Sequence, residues 1–238
     1  MTLCKDNWLK KGCTGENVKT LQRLINNTKL FQIVVDGIFL EQTESALKSL
    51  QKLDWITIDG IAGDETQGQL KNWIPSLVRI TNYTSDRQDN AWQCGPSALL
   101  MALSILGVKV NESFLASAAG TDAYNGTSVN GITSAVSMTN KTLKTNIKTR
   151  TAKKIPLATL ASYIKSKIPV MVRLRSWIRP NGGQHWVTIL AINLSNQTIR
   201  FADPSYGERI TSLDDFKSRV EYVWSRGVTN PFVILTQG

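Results

Sequence analysis

The sequence predicts an α+β protein: a small three-helix N-terminal bundle, then a domain in which a helix packs on an antiparallel sheet. Three observations support this prediction. Residues 1–75 combine helical apolar spacings with a short internal repeat, an apolar helical run begins at Cys94, and β-rich segments follow Pro169. The 238 residues suffice for two domains, which we predict to cover residues 1–75 and 76–238.

The N-terminal bundle is predicted from a repeat. Residues 36–47 and 59–70 both begin Asp-Gly-Ile, then carry acidic residues and a threonine, and close on a leucine. Asp-Gly favours a turn because glycine adopts positive φ freely, and acidic side chains suit the first turn of a helix. Four upstream apolar residues recur at helical spacing: Val18, Leu21, Leu24 and Ile25. We therefore expect three helices, two of them preceded by similar turns.

The second domain is expected to follow a polar linker at residues 74–90. A helix is predicted from Cys94 to Gly107, because seven apolar residues share one face: Ala98, Leu99, Met101, Ala102, Leu103, Ile105 and Leu106. Residues 111–165 are expected to mix short helices with a basic run. Four strands are predicted downstream, at 170–175, 185–192, 198–202 and 232–235.

The net charge of +10 lies in the C-terminal part of the chain. Residues 1–75 hold 9 Lys and Arg against 9 Asp and Glu, and residues 76–238 hold 19 against 9. Nucleic acid, anionic wall polymers and acidic lipid would all be attracted to a basic surface, so charge alone selects none of them. Six Lys or Arg residues without an acid lie between Lys141 and Lys154. They form either a solvated face or an anion-binding edge.

Cysteine usage excludes two classes of protein. Cys4, Cys13 and Cys94 are too few for a disulfide scaffold, and no CxxC or Cys/His cluster predicts a zinc site. Cys4 and Cys13 either pair in an oxidising compartment or stay as two thiols. No uncharged stretch is long enough to span a bilayer, and the first eight residues lack the apolar core of a signal peptide.

The single histidine, His185, is the only imidazole available to a mechanism. Zinc-dependent wall hydrolases need two or three imidazoles, so we expect no metal and no cofactor. Cys94 precedes Gly-Pro at a predicted helix start, where the thiolate is favoured, and an imidazolium would favour it further. Asp203 follows a predicted strand and can orient the imidazole. These three residues, in this chain order, are the parts of a cysteine hydrolase.

An oxyanion formed during acyl transfer also needs hydrogen-bond donors. The candidates are the backbone N–H of Cys94 and the side chain of Gln88, six residues upstream. Three other carboxylates compete with Asp203 for the orienting role: Asp122, Asp214 and Asp215.

Residues 8–73 resemble a peptidoglycan-binding domain of the three-helix type. The resemblance rests on the order of the pieces, from Leu9-Lys10-Lys11-Gly12 to the two Asp-Gly-Ile segments. Leu40 stands where the family's first repeat often has glycine, whereas the second repeat keeps Gly63. This domain would bind a cell-wall polymer.

Residues 84–224 resemble the C39-like branch of the papain-type cysteine peptidases. The motifs are Gln88, Cys94-Gly95-Pro96, Gly183-Gln184-His185-Trp186-Val187 and Asp203-Pro204-Ser205-Tyr206-Gly207. The resemblance implies that Cys94 is the nucleophile, His185 the base, Asp203 the orienting residue and Gln88 the oxyanion-hole glutamine. Gln93 departs from the Asp or Asn of many relatives.

Four residues are candidates to bind the substrate: Trp92, Trp177, Gly183 and Trp186. Each tryptophan fits a core position equally well. Substrate specificity is expected to lie in loops around residues 111–150 and 176–182.

The two resemblances together suggest a cell-wall lytic enzyme of the phage-lysin type, or a pseudomurein endoisopeptidase. We expect the partner to be murein or pseudomurein rather than nucleic acid, and the protein to be made in the cytoplasm and released to reach the wall. A double-glycine leader peptidase, a transpeptidase and a non-catalytic wall binder remain alternatives.

Overall fold

The computed structural model describes residue 4, residues 8–178 and residues 183–238. The chain divides into two compact units. The first comprises Met1–Leu77, Ile155–Ser162 and Asn193–Asn196; the second comprises Val78–Lys154, Tyr163–Ile192 and Gln197–Gly238.

Helices and an antiparallel sheet are both present, which confirms the predicted α+β class. The described residues form eight helices: α1 (Glu16–Asn27), α2 (Glu41–Leu53), α3 (Asp64–Lys71), α4 (Cys94–Ile105), α5 (Glu112–Ala119), α6 (Val129–Leu143), α7 (Leu157–Lys165) and α8 (Leu213–Ser225). They also form seven strands: β1 (Val78–Arg79), β2 (Ile147–Ala152), β3 (Val170–Arg175), β4 (Gln184–Asn193), β5 (Thr198–Asp203), β6 (Gly207–Ser212) and β7 (Phe232–Gln237). None of these helices has the length and apolar character needed to cross a membrane.

The first unit contains the three predicted helices, α1 to α3, and each copy of the repeat is held by a buried glutamine. Gln22 of α1 has its amide nitrogen within 3.2 Å of acceptors on Asp36, Ile38 and Thr43. Its side-chain oxygen accepts from the N–H of Gly37 at 2.9 Å. Every polar atom of this side chain is therefore engaged by the turn that precedes α2.

Gln51 of α2 holds the second copy in the same way. Its amide nitrogen contacts Asp59, Ile61 and Thr66, and its oxygen accepts from the N–H of Gly60 at 2.9 Å. The two glycines of the repeat have φ of 78° and 71°, as the Asp-Gly turns predict. The repeat is thus one structural device used twice.

A disulfide joins Cys4 to Cys13, which decides between the two alternatives left open by the sequence. Cys94 is the one cysteine among the described residues that is not part of a disulfide, and it is buried.

The sheet of the second unit has the order β2-β7-β3-β4-β5-β6, with β1 pairing beside β4. The four predicted strands correspond to β3, β4, β5 and β7. The sequence did not predict β2 or β6. Both consist mainly of polar and charged residues, so neither shows the apolar run of a buried strand. The basic run contributes to β2, an edge strand whose exposed Lys148 and Arg150 discourage pairing with another chain.

Helix α4 is buried along most of its length and packs on the sheet through an apolar core that includes Leu99, Leu103, Ile132, Met171 and Trp186. A buried hydrogen bond fixes the position of this helix along β4. Thr188 Oγ1 donates to the carbonyl of Ala98 at 2.7 Å. Ala98 lies one helical turn after Cys94, and Thr188 lies three residues after His185. This bond therefore helps to align the start of α4, which carries the thiol, with the part of β4 that carries the imidazole.

Candidate active site

Cys94 is the first residue of α4, and 9% of its surface is exposed. Gln93 precedes it as the N-cap residue without a side-chain capping bond. The sulfur therefore lies at the positive end of a 12-residue helix, where a thiolate is stabilised.

His185 and Asp203 are joined by a short hydrogen bond. His185 lies on β4 and is 5% exposed, and Asp203 ends β5 and is 1% exposed. Nε2 of the imidazole is 2.8 Å from Oδ1 of the carboxylate. Cys94 contacts the imidazole as a side-chain hydrogen-bond partner. Since Nε2 faces Asp203, Nδ1 is the ring nitrogen that remains for the sulfur. The structure thus brings together the three residues that the sequence selected.

The pKa of His185 reflects these two neighbours. Burial acts to lower the pKa, but the hydrogen bonds to Asp203 and Cys94 outweigh burial and raise it to about 9. For Asp203, burial acts to raise the pKa, and the bonds from His185, Ser205 and Arg209 outweigh it, so the pKa lies below its ordinary value. At neutral pH the pair is an imidazolium beside a carboxylate.

Arg209 is a residue that the sequence analysis missed. Its Nε donates to Oδ2 of Asp203 at 3.0 Å, opposite the oxygen that faces His185. The guanidinium lies between two aromatic rings, 4.4 Å from the centroid of Tyr206 and 4.7 Å from that of Trp177. The backbone N–H of Ser205 completes the set by donating to Oδ1 at 2.8 Å. Asp203 is thereby held from three sides.

The three rival carboxylates lie elsewhere. Asp122 accepts from two backbone N–H groups of its own turn, Asp214 faces Lys217, and Asp215 binds Arg219. None of these bonds involves His185, so Asp203 is the one of the four candidate carboxylates that hydrogen-bonds to the imidazole.

A cavity of about 260 Å³ opens beside the thiol. Trp92 and Trp186 line it together with Cys94, as does a turn at residues 123–127. Trp186 is also a core residue, and its indole N–H donates to the carbonyl of Thr127 at 2.8 Å.

Two predicted substrate-binding residues do not line this cavity. Trp177 was expected to contact substrate, but its indole N–H donates to Asp215 at 3.1 Å and its ring packs against Arg209, behind Asp203. Gly183 pairs through its carbonyl with the N–H of Ser176. The predicted specificity loops also need correction: residues 111–150 are mostly α5, α6 and β2, and only their 123–127 turn reaches the cavity. Residues 179–182 of the second loop lie outside the described residues.

The side chain of Gln88 is held by neighbours other than Cys94. Its amide nitrogen donates to the carbonyl of Asn90 at 2.6 Å, and its oxygen accepts from Ser205 Oγ at 2.9 Å. A carboxamide has two N–H donors, and Asn90 takes one of them. The oxyanion-hole role of Gln88 therefore stays a prediction.

Gly95 packs against Thr127 of the cavity wall. A Cβ atom at position 95 would lie 2.4 Å from Oγ1 and 2.5 Å from Cβ of Thr127. Glycine is needed here because the cavity wall packs directly on the first turn of α4.

Residues 72–229 match the Peptidase C39 like family. The chain belongs to this family. Residues 14–70 match the family described as "Putative peptidoglycan binding domain", so a peptidoglycan-binding domain is fused to a C39-like peptidase domain. This combination indicates a peptidase that acts on the cell wall. No curated protein matches the chain.

Several solved structures are similar to parts of the chain. The peptidase domain of ComA from Streptococcus, a bifunctional ABC transporter involved in quorum sensing, is 21% identical, with coverage of 66% of this chain and 99% of that one and a TM-score of 0.47. A double-glycine motif protease from an AMS/PCAT transporter, in complex with its leader peptide, is 14% identical, covering 68% and 95%, with a TM-score of 0.47. The SleB N-terminal domain is 30% identical, covering 28% and 92%, with a TM-score of 0.27.

Proposed function

We propose that this protein is a cysteine peptidase that hydrolyses peptide or isopeptide bonds in the cross-links of murein or pseudomurein. The observation that carries the proposal is the buried arrangement of Cys94, His185 and Asp203 beside a cavity. Membership of a peptidase family and fusion to a peptidoglycan-binding domain support it.

The chemistry follows from the geometry. The Cys94 thiolate attacks the scissile carbonyl, and a C–S bond forms as the carbonyl oxygen takes up negative charge. His185 then donates its proton to the departing amine, the C–N bond breaks, and a thioester remains. In the second half, His185 accepts a proton from water as the hydroxide attacks the thioester, which releases the carboxylic acid and restores the thiolate beside the imidazolium. Asp203 keeps the imidazole oriented through both halves.

Two further features support action on a wall outside the cytoplasm. The Cys4–Cys13 disulfide suits an oxidising compartment. A wall-binding domain on the same chain raises the concentration of the peptidase at an insoluble substrate without adding a contact at the active site.

The test compares the wild type with Cys94→Ala on purified walls. We expect Cys94→Ala to lose lysis of the walls, measured as turbidity, by at least about a thousandfold. Wall binding, measured by co-sedimentation, should stay unchanged. Retained lysis would contradict the proposed nucleophile.

Two additions sharpen this test. Because residues 1–75 carry equal numbers of acidic and basic residues, binding through the first unit should persist in 1 M salt, where charge attraction is screened within about 3 Å. Mass spectrometry of the ends released from murein and from pseudomurein identifies the bond. New amine and carboxylate ends indicate hydrolysis, whereas transfer of the acyl group to an added amine would indicate a transpeptidase.

A further inference from the structure

Arg173 is a half-buried cation at the wall of the active-site cavity. It lies on β3, paired in register with Trp186 of β4, and lines the cavity that contains Cys94. It also lines a neighbouring cavity of about 290 Å³, formed in part by Ser128–Asn130 at the start of α6 and by residues 227–230. Arg173 thus stands between two depressions, next to the proposed nucleophile.

The guanidinium of Arg173 makes no hydrogen bond and no ion pair with a carboxylate among the residues that the structure describes, and it interacts electrostatically with Cys94. Other half-buried arginines of this unit are paired: Arg200 with Glu208, Arg209 with Asp203 and Arg219 with Asp215. No acidic residue occurs in the described lining of either cavity. The guanidinium therefore has the Cys94 thiolate as an electrostatic neighbour but no carboxylate in either lining, and its N–H groups can bind an anion that enters the cavity.

Gln184 offers a complementary group in the same cavity. It precedes His185 on β4, and its side-chain oxygen is buried without a hydrogen-bond partner among the described residues. The lining of the cavity that contains Cys94 therefore includes a cation with up to five N–H donors and an unused amide acceptor. A peptide that carries a carboxylate and an N–H group would satisfy both.

We propose that Arg173 binds a free carboxylate of the substrate, so that the preferred substrates are peptides with a carboxylate close to the scissile bond. The guanidinium can hold a carboxylate through two parallel N–H···O bonds, which fixes the orientation of the peptide as well as its affinity. This inference rests on the proposed function for the identity of the substrate, but not for the anion preference of the cavity.

The first experiment measures that preference without a peptide substrate. Iodoacetate and iodoacetamide both alkylate the Cys94 thiolate, forming a C–S bond with loss of iodide, and they differ in carrying a carboxylate or a neutral amide. We expect Arg173→Gln to reduce the rate constant for iodoacetate about tenfold relative to that for iodoacetamide, because one charge-assisted contact is lost. Arg173→Lys keeps the charge but not the paired N–H groups. Its ratio of the two rate constants should lie between the ratios of the wild type and Arg173→Gln.

Arg150→Gln serves as the matched control. It removes one positive charge from β2, where Arg150 is exposed and lies over the ring of Tyr163, and it should leave the ratio of the two rate constants unchanged. If Arg173→Gln slows both reagents equally, or leaves the ratio as in the wild type, Arg173 acts on the thiolate or on folding, and the proposal is wrong.

The second experiment uses pairs of wall-derived peptides that differ only in a carboxylate or a carboxamide near the cleaved bond. The wild type should cleave the carboxylate form with at least about tenfold higher kcat/KM, and Arg173→Gln should remove most of this preference through KM. Equal cleavage of the pair by the wild type would overturn the proposal. If no wall peptide is cleaved at all, the proposed function fails, and the alkylation ratio still decides the role of Arg173.

Discussion

Four glutamines of this protein divide into two pairs. Gln22 and Gln51, in the helical unit, are buried and have both ends of the carboxamide bonded. Gln93 and Gln184 immediately precede Cys94 and His185, and the side-chain oxygen of each is buried without a partner among the described residues. Both ends of the carboxamide are thus bonded in the first pair, whereas the oxygen is without a described partner in the second pair.

This difference in hydrogen bonding distinguishes polar side chains that stabilise the fold from polar side chains that are able to bind a ligand. A buried polar atom without a partner costs about 1–3 kcal/mol, so a fold retains one only where something compensates. Gln22 and Gln51 stabilise two turns and have no capacity left. Gln184 lies in a cavity with Arg173, whose guanidinium makes no hydrogen bond to the described residues, and a bound substrate can supply hydrogen-bond partners to both.

The largest effect expected within this comparison concerns Asp203, a residue of the proposed catalytic site whose hydrogen bonds are nevertheless complete. Asp203→Asn keeps the shape but loses the negative charge beside His185 and turns an N–H group toward His185 or Arg209. We expect kcat/KM to fall by about a hundredfold or more. The pKa of His185, about 9 in the wild type, should fall because the hydrogen bond that raises it is weakened.

The pH profile distinguishes this role from a structural one. Wild-type activity should decline as pH rises through about 9, where His185 loses its proton, and the decline should move to lower pH in Asp203→Asn. Asp215→Asn is the matched control, since Asp215 also binds an arginine but does not contact His185. An unchanged alkaline limb in Asp203→Asn would show that Asp203 does not support the imidazolium.

The second prediction tests the glutamine comparison directly. Gln22→Leu should lower the free energy of unfolding by about 3 kcal/mol, because Gly37, Thr43 and Asp36 each lose a buried partner. Gln184→Leu should change it by less than about 1 kcal/mol, because the oxygen it removes has no partner. Urea unfolding followed by circular dichroism measures both variants. Equal losses would contradict the distinction between complete and incomplete glutamines.

The smallest expected effect concerns Glu112, a buried carboxyl group. One of its oxygens accepts from the N–H of Asp89 at 3.2 Å, and its side chain is also a hydrogen-bond partner of Asp86. Burial raises the pKa of Glu112 to about 7, with Asp86 adding to the rise and the Asp89 amide opposing it. The folded protein therefore keeps a proton that the unfolded chain releases near pH 4.3.

The sign of the pH dependence follows from this proton. Between about pH 4.3 and 7 the folded state binds more protons than the unfolded state, so stability falls as pH rises and levels off above 7. Glu112→Gln should remove this decline and stabilise the protein by about 2 kcal/mol at pH 8. Urea unfolding of both proteins at pH 5 and pH 8 measures it. A wild type equally stable at both pH values would show that Glu112 is ionised in the fold.

The candidate site residues that could be predicted from the sequence are those with a short, recognisable motif around them. Cys94 was found from Gly-Pro at a helix start, His185 from being the single histidine, and Asp203 from its place after a strand. The Asp-Gly turns of the helical unit were found because glycine has a local conformational role.

The roles of residues that contact partners far away in the sequence could not be predicted. Arg209 and Thr188 bind partners that are identified only once the strands are in register, and Gln22 binds residues 14 to 21 positions away. Trp177 was misassigned for the same reason, since a tryptophan beside a loop looks alike whether it meets a substrate or an arginine. Strand β6 was missed because its burial alternates weakly and no apolar run marks it.

The turn at the cavity wall has a consequence for engineering. Thr127 anchors it, packed on Gly95 and bonded to the indole of Trp186, while Asp122 closes the outer part by accepting from the N–H groups at 124 and 125. Its tip, Tyr124, is 98% exposed and supports nothing else. The outer turn can therefore be exchanged without moving the thiol or the imidazole, because α4 and β4 hold these two groups. Libraries of loops grafted between residues 122 and 126 can then vary the range of substrates that the cavity binds.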